Sequence, residues 1–152
     1  MRGDTTRKMA TLLMLIILLA ALFGGCGSRA RVERATARVD FADGLPTDYH
    51  EFASGGAMPQ IKLVFSVDAT VRDFKLLALT VSEAGKDGEL SFSAKEIFVL
   101  DKLTAARQLV ATLSVAGTVP NNGFSYKDVG GRTRRFAISL SGENGAILFR
   151  EF

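Results

Sequence analysis

The sequence predicts an all-β protein, a small antiparallel sandwich behind an N-terminal leader. Three observations carry this. From Gln60 onward, apolar residues recur at every second position, which places them on one face of an extended strand. Clusters of Gly, Asn, Asp and Pro interrupt this alternation every ~8–12 residues, the spacing of sandwich strands. Ahead of this region, residues 9–23 form an apolar run in which only Thr11 is polar.

The strands follow in order. Ile61, Leu63, Phe65, Val67 and Ala69 alternate with Lys62, Val64, Ser66, Asp68 and Thr70, the pattern of a half-buried strand. Arg72 and Asp73 interrupt it. In 74–81, Leu76 and Ala78 lie on one side and Leu77, Leu79 and Val81 on the other, so this strand is expected to be central. Residues 84–88 form a turn, after which Leu90 and Phe92 alternate with Glu89, Ser91 and Ser93. A short apolar run occupies 96–100. Residues 101–108 are ambiguous, because Asp101 is placed to cap a helical turn carrying Leu103, Ala106 and Arg107. Leu109, Ala111, Leu113 and Val115 resume the alternation. Pro120-Asn121-Asn122-Gly123 reads as a turn, and a strand begins at Phe124 and closes at Gly130-Gly131. Phe136, Ile138 and Leu140 alternate with Arg135, Ala137 and Ser139. Asn144-Gly145 marks a hairpin, since Gly tolerates positive φ, and 146–152 closes the chain.

These runs make about seven or eight strands within 60–152, for which we expect an immunoglobulin-like sandwich. With one Cys and no Trp, it lacks the disulfide and buried Trp of antibody domains. The expected core is Ile61, Leu63, Phe65, Val67, Leu76, Phe92, Leu113, Phe136, Ile138, Leu140 and Phe149. A membrane-spanning barrel is disfavoured. Its strands need about 9–11 residues each, and eight of them would consume the whole domain.

Residues 26–59 read as a flexible tether. Arg29, Arg31, Arg34 and Arg38 face only Glu33, and Val32, Ala35 and Val39 allow a short helix. Asp40, Asp43, Asp48 and Glu51 then reverse the charge without calcium-loop spacing, and Gly44, Pro46, Gly55, Gly56 and Pro59 break regular structure.

The leader, 1–25, begins with Arg2, Arg7 and Lys8 against Asp4 and continues into the apolar run. A basic start, a short apolar helix and small residues describe a secretory signal. The run falls short of the ~20 residues that span a bilayer comfortably. It ends in Phe23-Gly24-Gly25-Cys26, which resembles the lipobox of bacterial lipoproteins. That resemblance implies cleavage between Gly25 and Cys26 and a diacylglycerol on the Cys26 sulfur. It departs from the family pattern at Phe23, where Leu is usual. By the same resemblance Gly27, which is not Asp, favours the outer membrane facing the periplasm where the host has one, and otherwise the outer face of the plasma membrane. A membrane is then the partner of Cys26, and stable anchoring by several acyl chains explains a lone cysteine.

Composition narrows the function further. The chain is 47% apolar and 23% charged with a net charge of +3, which excludes a disordered protein. Three of its 19 basic residues and one of its 16 acidic residues lie in 1–25, so the remainder carries only +1. That weakens any argument for nucleic acid, and none is expected as a partner. The single cysteine and single histidine exclude multi-cysteine metal sites and most histidine-based chemistry. His50 lies in the expected tether, and no serine sits in a G-x-S-x-G elbow. Gly85 to Gly88 and Gly130-Gly131 precede strands, not the helix that a phosphate loop needs. We expect no catalytic residue, metal or cofactor. Arg132, Arg134 and Arg135 form the one compact basic cluster, a candidate contact for another envelope protein. The expected function is a lipid-anchored, non-enzymatic binding or structural module. The alternatives are a small-ligand or ion binder and an envelope hydrolase.

Overall fold

The computed structural model describes residues 36–55, 59–86, 88–115 and 117–152. The expected signal helix, the cleavage position at Gly25, the acylation site at Cys26 and Arg29, Arg31 and Arg34 lie outside them. The described residues form nine strands and no helix: β1 (Ala37–Phe41), β2 (Tyr49–Ala53), β3 (Ile61–Val67), β4 (Val71–Ala84), β5 (Leu90–Leu103), β6 (Gln108–Leu113), β7 (Asn122–Lys127), β8 (Thr133–Leu140) and β9 (Ile147–Glu151). They build two sheets of order β1-β3-β6-β2 and β5-β4-β7-β8-β9, packed face to face. Neighbours run antiparallel except β2, which lies parallel to β6 with His50 opposite Leu109. The all-β sandwich expected from period-two patterning is therefore present.

The tether expected over 26–59 is too long. Residues 37–41 and 49–53 belong to the four-stranded sheet, and they cover its two edges. Ala37 and Val39 are buried while Arg38 and Asp40 are exposed, so Val39 sits on a strand and not on a short helix. Residues 101–108 contain no helical turn either: β5 runs through Leu103, whose side chain is fully buried, and Thr104 closes a bend by accepting the Arg107 N–H at 3.0 Å.

Aromatic rings join the sheets. Phe65 of β3 meets Phe74 of β4 and Phe124 of β7 edge-on, at centroid distances of 5.8 and 5.5 Å. Phe124 also stacks on Phe136 at 5.0 Å and lies 6.2 Å from Tyr126. Such a cluster does the cross-sheet work that a disulfide and Trp do in antibody domains. Burial of the Tyr126 ring raises the pKa of its phenol.

Seven of the expected core residues are buried: Leu63, Phe65, Val67, Leu76, Leu113, Phe136 and Ile138. Ile61 and Leu140 are half-buried. Phe149 is 41% exposed, because β9 is an edge strand, although its ring meets Phe136 and Phe124 edge-on. Phe92 belongs to a separate apolar cluster with Leu77, Leu79 and Ala137. Leu77 and Leu79 point away from Phe74 and Leu76, so β4 is buried on both faces, as its doubly apolar pattern predicts.

Candidate functional site: a trough on the five-stranded sheet

The second cluster lies on the outer face of the five-stranded sheet, and that sheet coils. In a flat sheet, β5 and β9 would stand about 19 Å apart, four spacings of ~4.8 Å. Instead, the Phe92 and Phe152 rings meet edge-on at 5.3 Å, and Arg150 Nη2 donates to Glu89 Oε1 at 3.0 Å. Side chains from the two ends of the sheet thus meet across its outer face.

Local sequence explains the coil. β7 pairs with β4 only as far as Ala78, so the remainder of the long β4–β5 hairpin is free to bend. Two irregularities steepen its twist: Ile97 is an extra residue on β5 opposite Leu76/Leu77, and the register slips again between Val81 and Glu83. Leu79 N–H is held by Asn121 O at 3.0 Å. Its side chain then lies over Gly123, where a Cβ would stand 3.0 Å from Leu79 Cδ1. Gly123, expected in a turn, is a buried strand residue for this reason.

The result is a trough with an apolar end and a polar end, and Phe92 lines both. The apolar end, about 620 Å³, is walled by Leu90, Pro120, Ala137, Leu148 and Phe152. The polar end, about 300 Å³, rests on successive rungs of the sheet. Lys75, Ser125 and Arg135 sit side by side on β4, β7 and β8, and Lys127 pairs with Thr133 on the next rung. Glu96 enters from β5 and binds Lys75 Nζ at 2.5 Å.

Asp73 completes the polar end by way of a bulge. Between the pairs Arg72/Lys127 and Lys75/Ser125, β4 has one residue more than β7. Asp73 absorbs it with φ 47°, a left-handed conformation that Asp tolerates better than most side chains. The bulge keeps Val71 and Phe74 both in the core and sets the Asp73 carboxylate 2.5 Å from Lys127 Nζ. That hydrogen bond lowers the Asp73 pKa. The two carboxylates are thus each tied to a lysine. Arg135 is exposed at the trough, and its guanidinium has no ion pair among the described residues.

The expected arginine cluster is split. Alternation along β8 sends Arg134 and Arg135 to opposite faces. Arg134 makes a bidentate pair with Glu151, which raises its pKa, and its guanidinium carbon lies 5.5 Å from the Phe136 ring centroid. Arg132 is exposed in the β7–β8 turn, where its N–H and that of Gly130 donate to Asp128 Oδ1 at 2.9 Å. Only Arg135 reaches the trough.

His50 lies on β2 and not in a tether. Its pKa is lowered by partial burial, then by Arg107, against an opposing effect of Asp48. Arg107 and Asp48 pair at 3.1 Å. Asp40 on β1 and Glu51 on β2 stand at opposite edges of the four-stranded sheet, so the acidic residues of 40–51 do not share one loop. Among the described residues, no three His, Cys, Asp or Glu side chains group to hold a metal ion. Lys75, Asp73, Glu96, Ser125 and Lys127 carry no recognisable motif. Parity on each strand would have shown their faces, but their adjacency needs the strand order.

No protein-family model, curated protein or solved structure matches this chain.

Proposed function

We propose that the protein is a lipid-anchored cell-envelope protein, acylated at Cys26, whose sandwich is a non-enzymatic binding module with the trough as its ligand surface. The observation that carries this reading is the leader, a basic start and apolar run ending in Phe23-Gly24-Gly25-Cys26. The acyl chains hold the module at the outer membrane facing the periplasm, or at the outer face of the plasma membrane in a host with one membrane.

The sandwich fits an immunoglobulin-like reading. With β1, β3, β4, β5, β6, β7 and β8 taken as strands A, B, C, C′, E, F and G, the orders β1-β3-β6 and β5-β4-β7-β8 become A-B-E and C′-C-F-G. β2 stands where strand D would, but it runs parallel to β6, and β9 extends the other sheet beyond G. Sandwiches of this type bind through exposed faces, edges and loops, which supports a binding role for the trough.

The test is expression of the full chain in a bacterium fed labelled palmitate. Wild type is expected to take up label and sediment with membranes, and Cys26→Ser to lose both. Labelling and fractionation unchanged in Cys26→Ser would overturn the anchor.

A further inference from the structure

The geometry points to a ligand class for the trough: a small organic carboxylate, its anionic group held by Arg135 and its apolar body laid against Phe92. This rests on the trough being the binding surface proposed above.

Charge selects the anion. The polar end holds three cations, Lys75, Lys127 and Arg135, against two carboxylates, Asp73 and Glu96. Each carboxylate is already engaged by a lysine at 2.5 Å, so one positive charge is left over, and it resides on Arg135. A monoanion neutralises it, whereas a dianion overshoots. Arginine presents a planar fork of donors that matches a carboxylate, and it holds its charge at any physiological pH. Register places the Ser125 and Thr133 side chains on the same face, so hydroxyl donors flank the guanidinium.

Shape selects the body. The polar end has room for a molecule of benzoate size, at about 300 Å³. Its inner wall is Leu77 and Phe92, beyond which lies the apolar end. Pockets of this kind use a few polar groups to orient a ligand and apolar walls to hold it.

The experiment is equilibrium dialysis of radiolabelled benzoate against the full chain in phosphatidylcholine nanodiscs, with empty nanodiscs as the blank and benzamide as the neutral isostere. Saturable one-to-one benzoate binding is expected. Arg135→Ala should weaken it about tenfold or more, in line with loss of a charge-assisted pair. Arg134→Ala, on the opposite face, should leave it unchanged, and unaltered circular dichroism shows that both variants fold. Equal binding to wild type and Arg135→Ala would overturn the anchor. Benzamide binding as tightly as benzoate would overturn the anionic class while leaving the trough a binding surface. Phenyl phosphate binding more tightly than benzoate would replace the carboxylate with a dianion. No binding of any probe would overturn the trough reading itself.

Discussion

Gly123 is where the coil of the five-stranded sheet can be challenged with one methyl group. A Cβ there would press on the Phe136 carbonyl oxygen inside the 3.0 Å that real Cβ atoms respect, and would stand 3.0 Å from Leu79 Cδ1. Leu79 can change rotamer, but the carbonyl belongs to the backbone of β8, which is paired on both sides. The strands must therefore separate, and overpacking of this kind costs about 1–3 kcal/mol. With about 2 kcal/mol lost, a domain of this size should melt about 6–10 °C lower. The assay is thermal denaturation followed by circular dichroism for Gly123→Ala, Gly44→Ala and the double variant Leu79→Ala/Gly123→Ala. Gly44 has nothing within 4 Å of its would-be Cβ, so its variant should stay within about 0.5 kcal/mol of wild type. The double variant should be no more stable than Gly123→Ala, because the backbone obstacle remains. Wild-type stability of Gly123→Ala, or full rescue by Leu79→Ala, would refute the packing described here.

Two further outcomes follow from the structure. Phe124→Ala removes the ring shared by Phe65, Phe74 and Phe136 and should cost about 3–5 kcal/mol, read from the urea midpoint at unchanged slope. His50 has a lowered pKa in the fold, so its stabilising contribution is complete above its ordinary value near 6.5 and is lost as pH falls through the folded value. Between pH 7.5 and 5 the wild-type melting temperature should therefore fall more steeply than that of His50→Gln, and parallel curves would contradict this.

What was legible in the sequence had a local cause. Ile61 to Val67 announces its strand because alternation records one-sided burial directly, and 74–81 and Phe136 to Ile138 announce theirs because apolar residues on successive positions match burial on both faces. The Asn144-Gly145 turn likewise appears with Gly145 at φ 70°. β1 and β2 were hidden because each has only five residues, and their stabilisation comes from β3 and β6, distant in sequence. Val39 fits a helical spacing as well as a strand when only two or three apolar residues vote. Phe92 reads as core by its neighbours, yet it packs on the outer face, because the coil of a sheet depends on where bulges fall and which strand ends first. The trough shows the same limit. Arg134 and Arg135 look like one patch in the chain, whereas Lys75, Ser125 and Arg135 become one patch only after β7 has inserted itself between β4 and β8.

The coiled sheet is the foundation of both the trough and its proposed ligand. It is tested most directly by the nuclear Overhauser effect between the ring protons of Phe92 and Phe152 in selectively labelled protein. Rings with centroids 5.3 Å apart should give strong cross-peaks. Their absence, as in a sheet whose edges stand about 19 Å apart, would contradict the account.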